Sequence, residues 1–245
     1  MTTTSDPAEL AEMAPPTWLA DNIARVREQI AAAALAAGRR PDEVCLVGVS
    51  KTRPAELIVQ AARLGLTELG ENRVQEAADK IPVVNTALAT PPRWHLIGSL
   101  QTNKVRAALA LFDIIQSVDS LRLAEALDRR VQDSPLPILL EVYLGDDAER
   151  PGFRPLDLAP AVERIATLTR LRIQGLMTVA PLGLSERDTQ ACFARLRDER
   201  ERLRSAFPSV DWTHLSMGMS DDYPLAIAEG ATIVRVGRAL FGARP

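Results

Sequence analysis

The chain has 245 residues, a formal net charge of −3, 47% hydrophobic residues and 25% charged residues. That length buries a full core, and that balance excludes a disordered chain and any long-range pull toward nucleic acid or an anionic membrane. Cys45 and Cys192 stand far apart in apolar patterns with neither disulfide nor metal-ligand spacing. The start is polar without a basic-then-apolar signal, and no apolar run would span a bilayer. A cytoplasmic protein that binds no nucleic acid and no membrane is expected.

Residues 1–14 read as a disordered leader. From Pro16 to Ala37 the residues Trp18, Leu19, Ile23, Val26, Ile30 and Ala33 recur at helical spacing, and Gly38 stops the helix. A uniformly apolar strand then runs from Val44 to Lys51. Strands are expected at Leu66–Asn72, Arg93–Ser99, Asp113–Val118, Pro137–Leu144, Leu171–Val179, Trp212–Ser216 and Thr232–Val236. Helices fall between them at Pro54–Leu64, Val74–Ile81, Asn103–Phe112, Leu121–Val131, Leu156–Leu168, Glu186–Ala206 and Tyr223–Glu229. Seven of the eight strands are thus followed by a helix. Alternation of this kind over about 250 residues predicts an α/β fold, a single (β/α)8 TIM barrel over residues 15–245 with an extra N-terminal helix.

In such a barrel the chemistry gathers at the carboxyl ends of the strands. Those ends carry Lys51, Gly70-Glu71-Asn72, Ser99, Met177, Ser216 to Ser220, and Gly237-Arg238. A lysine desolvated there is suited to Schiff-base formation. The small segments after strands seven and eight suit a phosphate monoester, with Ser216, Gly218 and Ser220 on one side and Gly237 and the Arg238 N–H on the other. Arg235 shares a strand face with Gly237, so it meets an anion, a ring nitrogen or a strand carboxylate such as Glu141. A lysine electrophile trap beside a phosphate cradle fits either a class I aldolase or a pyridoxal 5′-phosphate site. An aldolase also needs an acid–base partner near the lysine, and none is evident. His95 and His214 read as core histidines, and Asn103 as a helix cap.

Six stretches carry a resemblance: LVGVSK at Leu46–Lys51, GENRVQE at Gly70–Glu76, WHLIGSLQTNK at Trp94–Lys104, GLM at Gly175–Met177, LSMGMSDD at Leu215–Asp222 and VRVGRALFG at Val234–Gly242. In this order they resemble the pyridoxal phosphate homeostasis proteins, the YggS or PROSC family, over most of residues 20–242. The resemblance implies the barrel of the alanine racemase N-terminal domain. It implies pyridoxal 5′-phosphate held as a Schiff base on Lys51, with Asn72 beside it. Ser216, Ser220, Gly237 and Arg238 would hold the phosphate, and Arg235 would face the pyridine nitrogen. The implied role is intracellular homeostasis, buffering or delivering the cofactor to client enzymes without a defined turnover reaction. The expected assembly is a monomer or weak homodimer, and neither a catalytic residue nor a metal ligand is expected. The alternative is a pyridoxal-phosphate-dependent amino-acid racemase or related enzyme, for which Tyr143 and Tyr223 are the available tyrosines. The chain departs from the family at Tyr143, at Arg150-Pro151-Gly152 and at Ser99.

Overall fold

The computed structural model describes Leu10, residues 14–147 and residues 149–243. Eight strands close into one barrel: β1 Cys45–Val49, β2 Glu68–Glu71, β3 Arg93–Leu96, β4 Ile114–Val118, β5 Leu136–Glu141, β6 Leu171–Met177, β7 His214–Ser216 and β8 Ile233–Val236. Each strand pairs with the next in parallel, and β1 pairs with β8, so all eight carboxyl ends open at one mouth.

Among the described residues the helices are α1 Thr17–Ala36, α2 Ala55–Arg63, α3 Val74–Thr86, α4 Val105–Leu109, α5 Leu121–Asp128, α6 Pro155–Ile165, α7 Glu186–Ala206, α8 Tyr223–Ala228 and α9 Arg238–Phe241. Two differ from expectation. Helix α3 continues through Pro82. A proline removes one donor and disfavours helix at the residue before it, but here the buried side chains on either side, Ile81 and Val84, hold the turn in register. Helix α9 makes the eighth strand helix-followed as well; at four residues it is too short to show a period.

Helix α1 packs on α8 and α9 through Leu19, Ile23, Val26, Ile30 and Ala34, one stripe at three- and four-residue steps. Burying each of its larger members contributes about 1.5–3 kcal/mol. Asn22 ties the helix down by donating Nδ2–H to Leu240 O at 3.0 Å. The leader expected over residues 1–14 falls almost wholly outside the described residues; Leu10, within it, is helical and buried.

Side chains alternate across the wall. Val47, Ile114, Leu139, Met177 and Ile233 meet inside the barrel, while a larger cluster fills the layer between strands and helices. No helix among the described residues is long and apolar enough to cross a membrane.

Candidate functional site

Strand β1 ends at Val49, and the Ser50 N–H still donates to Gly70 O at 3.0 Å, so Lys51 leaves the wall at the rim. The next residue, Thr52, has a φ of +62° and is the one non-glycine with positive φ among the described residues. A β-branched residue in that region costs about 1–3 kcal/mol and persists only where its surroundings hold it. They do so here. The Thr52 N–H donates to Glu76 Oε1, and Lys80 Nζ donates to Ser50 O at 2.7 Å. Lys80 Nζ also reaches Glu71 Oε1 at 2.6 Å and Glu76 Oε1 at 2.9 Å, and the Ser50 hydroxyl donates to Glu71 Oε1 at 2.7 Å. Lys51 therefore projects from between two anchored residues. Burial pushes the Glu71 carboxyl up against the pull of Lys80. Burial also raises Glu76, but the hydrogen bonds from Lys80 and Thr52 outweigh it and leave the group below its ordinary value. Glu76 and Lys80 are an i,i+4 pair on α3, which points both at the strand end.

A cavity of about 350 Å³ joins Lys51 to Val49, Arg53, Gly237, Arg238, Gly242 and Ala243. Three residues singled out by sequence, Lys51, Gly237 and Arg238, thus line one space. Ser220 joins them from the β7 side. Its Oγ accepts from the backbone N–H groups of Gly237 and Ala239, each at 3.3 Å. Gly218 makes the approach possible: at a φ of +93°, a Cβ there would lie 2.7 Å from Ala226 Cβ and 2.8 Å from Tyr223 Cα. The Arg238 guanidinium pairs with Asp221 at the exposed rim. Arg53 donates to Gly242 O at 2.6 Å and so straps the chain beyond α9 across the cavity edge.

Ser216 is not in that group. Its hydroxyl is buried inside the barrel, where it donates to Gln116 Oε1 and accepts from Arg235 NH1, both at 2.6 Å. The Ser216 hydroxyl, expected on the phosphate, is thus engaged inside the barrel by Gln116 and Arg235 rather than grouped with Ser220. Arg235 is 3% exposed and spends its other terminal nitrogen on Thr178 O at 2.7 Å. The alternative ion pair with Glu141 does not form. Burial lowers the guanidinium to about 10, which still leaves it cationic at neutral pH. Glu141, at the end of β5, is pushed up to about 7 by burial and by nearby Asp119.

Asn72 lies one step beyond β2, on the inward parity, and its Oδ1 is buried with no hydrogen-bond partner. Gly98 admits it: a Cβ on Gly98 would sit 2.3 Å from Asn72 O. His95 is a satisfied core residue, with Nε2 2.6 Å from Glu68 and Nδ1 2.6 Å from Gln116. His214 Nδ1 meets the Thr232 hydroxyl at 3.4 Å. Asn103 caps no helix; it sits within the turn of 3-10 helix Thr102–Lys104, whose N-cap position is Gln101. The two tyrosines differ in their surroundings. Tyr223 donates to Gln29 outside the barrel, and the Tyr143 ring lies buried under Arg154 at 4.5 Å and Arg150 at 5.9 Å.

Sequence reasoning missed Lys80, Glu71, Glu76 and Gln116. Gln116 had a readable signal, a polar residue in the middle of a fully buried strand, which must find a partner. The two glutamates lay inside a quoted motif without a role assigned to them.

Residues 19–245 match the family described as alanine racemase, N-terminal domain. The chain is 41% identical over 229 residues to the pyridoxal phosphate homeostasis protein of Escherichia coli K12, covering 92% of this chain and 97% of the relative. It is 44% identical over 230 residues to the pyridoxal phosphate homeostasis protein of Pseudomonas aeruginosa, covering 92% and 96%. The structure of PipY from Synechococcus elongatus with pyridoxal phosphate bound is 43% identical, with a TM-score of 0.81 over 91% of this chain and 100% of that one.

Proposed function

Because this chain belongs to the family of pyridoxal phosphate homeostasis proteins, we propose that it binds pyridoxal 5′-phosphate covalently through Lys51 and buffers or delivers it to client enzymes. The observation that carries this reading is the cavity that joins Lys51 to Gly237 and Arg238. At about 350 Å³ it falls within the range of small-ligand sites.

The residues present fit the group. The Lys51 amine is the nucleophile, and the clamped residues on either side fix the direction from which it approaches an aldehyde. Of the three lysines in the chain, Lys80 is committed to two carboxylates and Lys104 lies in a turn after β3. The Ser220 hydroxyl, which the Gly237 and Ala239 N–H groups hold in place, and the Arg238 backbone N–H next to Gly237 would hold the phosphate, helped by the charge of Arg238. The orphaned Asn72 Oδ1 offers an acceptor beside the ring. Arg235 would face the pyridine nitrogen, with Ser216 as its support in place of a phosphate contact. When bound, the cofactor supplies a reactive aldehyde and, once its ring nitrogen is protonated, an electron sink. A cationic guanidinium donates a hydrogen bond to that nitrogen without giving it a proton, so Arg235 holds the electron sink weak.

That electronic setting, and a Tyr223 hydroxyl committed to Gln29, favour a carrier over a racemase. Free thiols at Cys45 and Cys192 support a reducing, cytoplasmic setting. On the same reading the working unit is one domain, residues 15–245, as a monomer or weak homodimer. Protein incubated with pyridoxal 5′-phosphate should turn yellow, and borohydride should bleach it and fix the cofactor's mass on the Lys51 peptide. Lys51→Ala should lose that fixation. Colourless protein without a mass shift would refute the reading, and sustained racemisation of an amino acid would favour the enzyme.

A further inference from the structure

Arg235 is a buried cation on which Glu141 and Asp222 act only at a distance: no described carboxylate forms a close ion pair with it. Its hydrogen bonds instead start a continuous line through the barrel. Arg235 NH1 donates to Ser216 Oγ, Ser216 Oγ donates to Gln116 Oε1, Gln116 Nε2 meets His95 Nδ1, and His95 Nε2 meets Glu68 Oε2, each at 2.6 Å. Glu68 is the first residue of β2, at the end of the barrel opposite the mouth.

The chemistry of the two ends dictates the direction of every bond between them. A guanidinium only donates and a carboxylate only accepts. The Gln116 Nε2 can only donate, so His95 Nδ1 is the acceptor and its proton sits on Nε2, facing Glu68. With that amide held, Gln116 Oε1 takes the Ser216 proton and leaves a Ser216 lone pair aimed at Arg235. Turning the Gln116 amide over would bring Oε1 against Nδ1 and demand protons on both ring nitrogens. Burial opposes that charged form. Bonds aligned head to tail polarise one another, so the negative charge at Glu68 is felt at Arg235 through four links.

We propose that Glu68, His95 and Gln116 are positioning residues for Arg235: together they form a one-directional hydrogen-bond chain that sets the orientation of the guanidinium facing the cofactor ring. The second half of this statement rests on the function proposed above. The first half does not.

Two histidines in the chain make the test direct. Long-range ¹H–¹⁵N spectra of the labelled full chain should show His95 neutral and protonated on Nε2. Addition of pyridoxal 5′-phosphate at the far mouth should shift the His95 Nδ1 signal. Gln116→Leu should weaken cofactor binding about tenfold, the loss of one charge-coupled hydrogen bond, and displace the visible absorption band. Glu68→Leu should do the same, whereas Glu68→Gln, which keeps an acceptor, should stay near wild type. The proposal is overturned if His95 in the unaltered protein carries its proton on Nδ1 or on both nitrogens. It is equally overturned if folded Gln116→Leu or Glu68→Leu protein binds with the original affinity and band. Should the unaltered protein fail to turn yellow, the functional reading falls, and the His95 tautomer alone then decides whether the chain exists.

Discussion

Two cations are buried behind the mouth, on opposite faces of the barrel wall, and they are neutralised in opposite ways. Lys80, 7% exposed, lies outside the wall under α3 and touches two carboxylates and a carbonyl. Arg235 lies inside the wall and touches a hydroxyl and a carbonyl. The first charge is cancelled where it stands, so it serves as a rigid post for the strand end that bears Lys51. The second forms no close ion pair, with Glu141 and Asp222 acting on it only at a distance, and so carries more of its desolvation cost.

The sharpest way to break this contrast is Lys80→Met. It strands Glu71 and leaves Ser50 O without its donor, so unfolding in urea should show a loss of about 3–5 kcal/mol. Adding Glu71→Leu should recover much of it, because the stranded carboxylate is the main source of the loss. Arg235→Met should cost less, about 1–2 kcal/mol, since two lost hydrogen bonds are offset by removal of a desolvated charge. Its larger effect should be on cofactor affinity. If Arg235→Met destabilised the fold as much as Lys80→Met, the two charges would not differ as described.

The contrast also explains what could be read from the chain alone. The eight-strand rhythm was legible because Gly38, Gly65, Pro54 and Pro208 punctuate it and each apolar run has strand length. Lys51 was legible because a charged residue terminates such a run. Lys80 was not: its partners reach it from the end of β2 and from Ser50, across a helix–strand packing that no local period announces. Ser216 and Ser220 are chemically identical four residues apart, and only the three-dimensional path of the turn at Gly218 decides which one turns into the barrel and which one meets the Gly237 backbone.

A third outcome concerns Glu141, a carboxyl group whose field reaches Arg235. Glu141 titrates at about 7 in the folded chain, above its ordinary value of 4.5. Between those values the folded state keeps a proton that the unfolded state has lost, so this group's contribution to stability falls as pH rises through that window. Glu141→Gln should therefore melt higher than the unaltered protein at pH 8, by about 1 kcal/mol once its solvent access is allowed for. The advantage should vanish at pH 4. An ion pair between Glu141 and Arg235 would give the reverse, with Glu141→Gln the less stable at pH 8, and would erase the difference between the two cations.

The smallest effect is expected at Thr52, where the Lys80 cluster holds a β-branched residue at a φ of +62°. Thr52→Gly removes a strain of about 1–2 kcal/mol and adds about 0.5–1 kcal/mol of glycine entropy. The melting midpoint should rise slightly or hold, while the segment bearing Lys51 loses stiffness. Borohydride fixation of pyridoxal 5′-phosphate on the Lys51 peptide should then slow, because fewer conformers aim the amine into the cavity. In the Lys80→Met background Thr52→Gly should be less stabilising than in the unaltered chain, since the cluster no longer holds Thr52 in the strained conformation that glycine relieves. Equal gains in both backgrounds would mean that the ion cluster and the strained residue act independently, and that the cation outside the wall does not hold Lys51 in place.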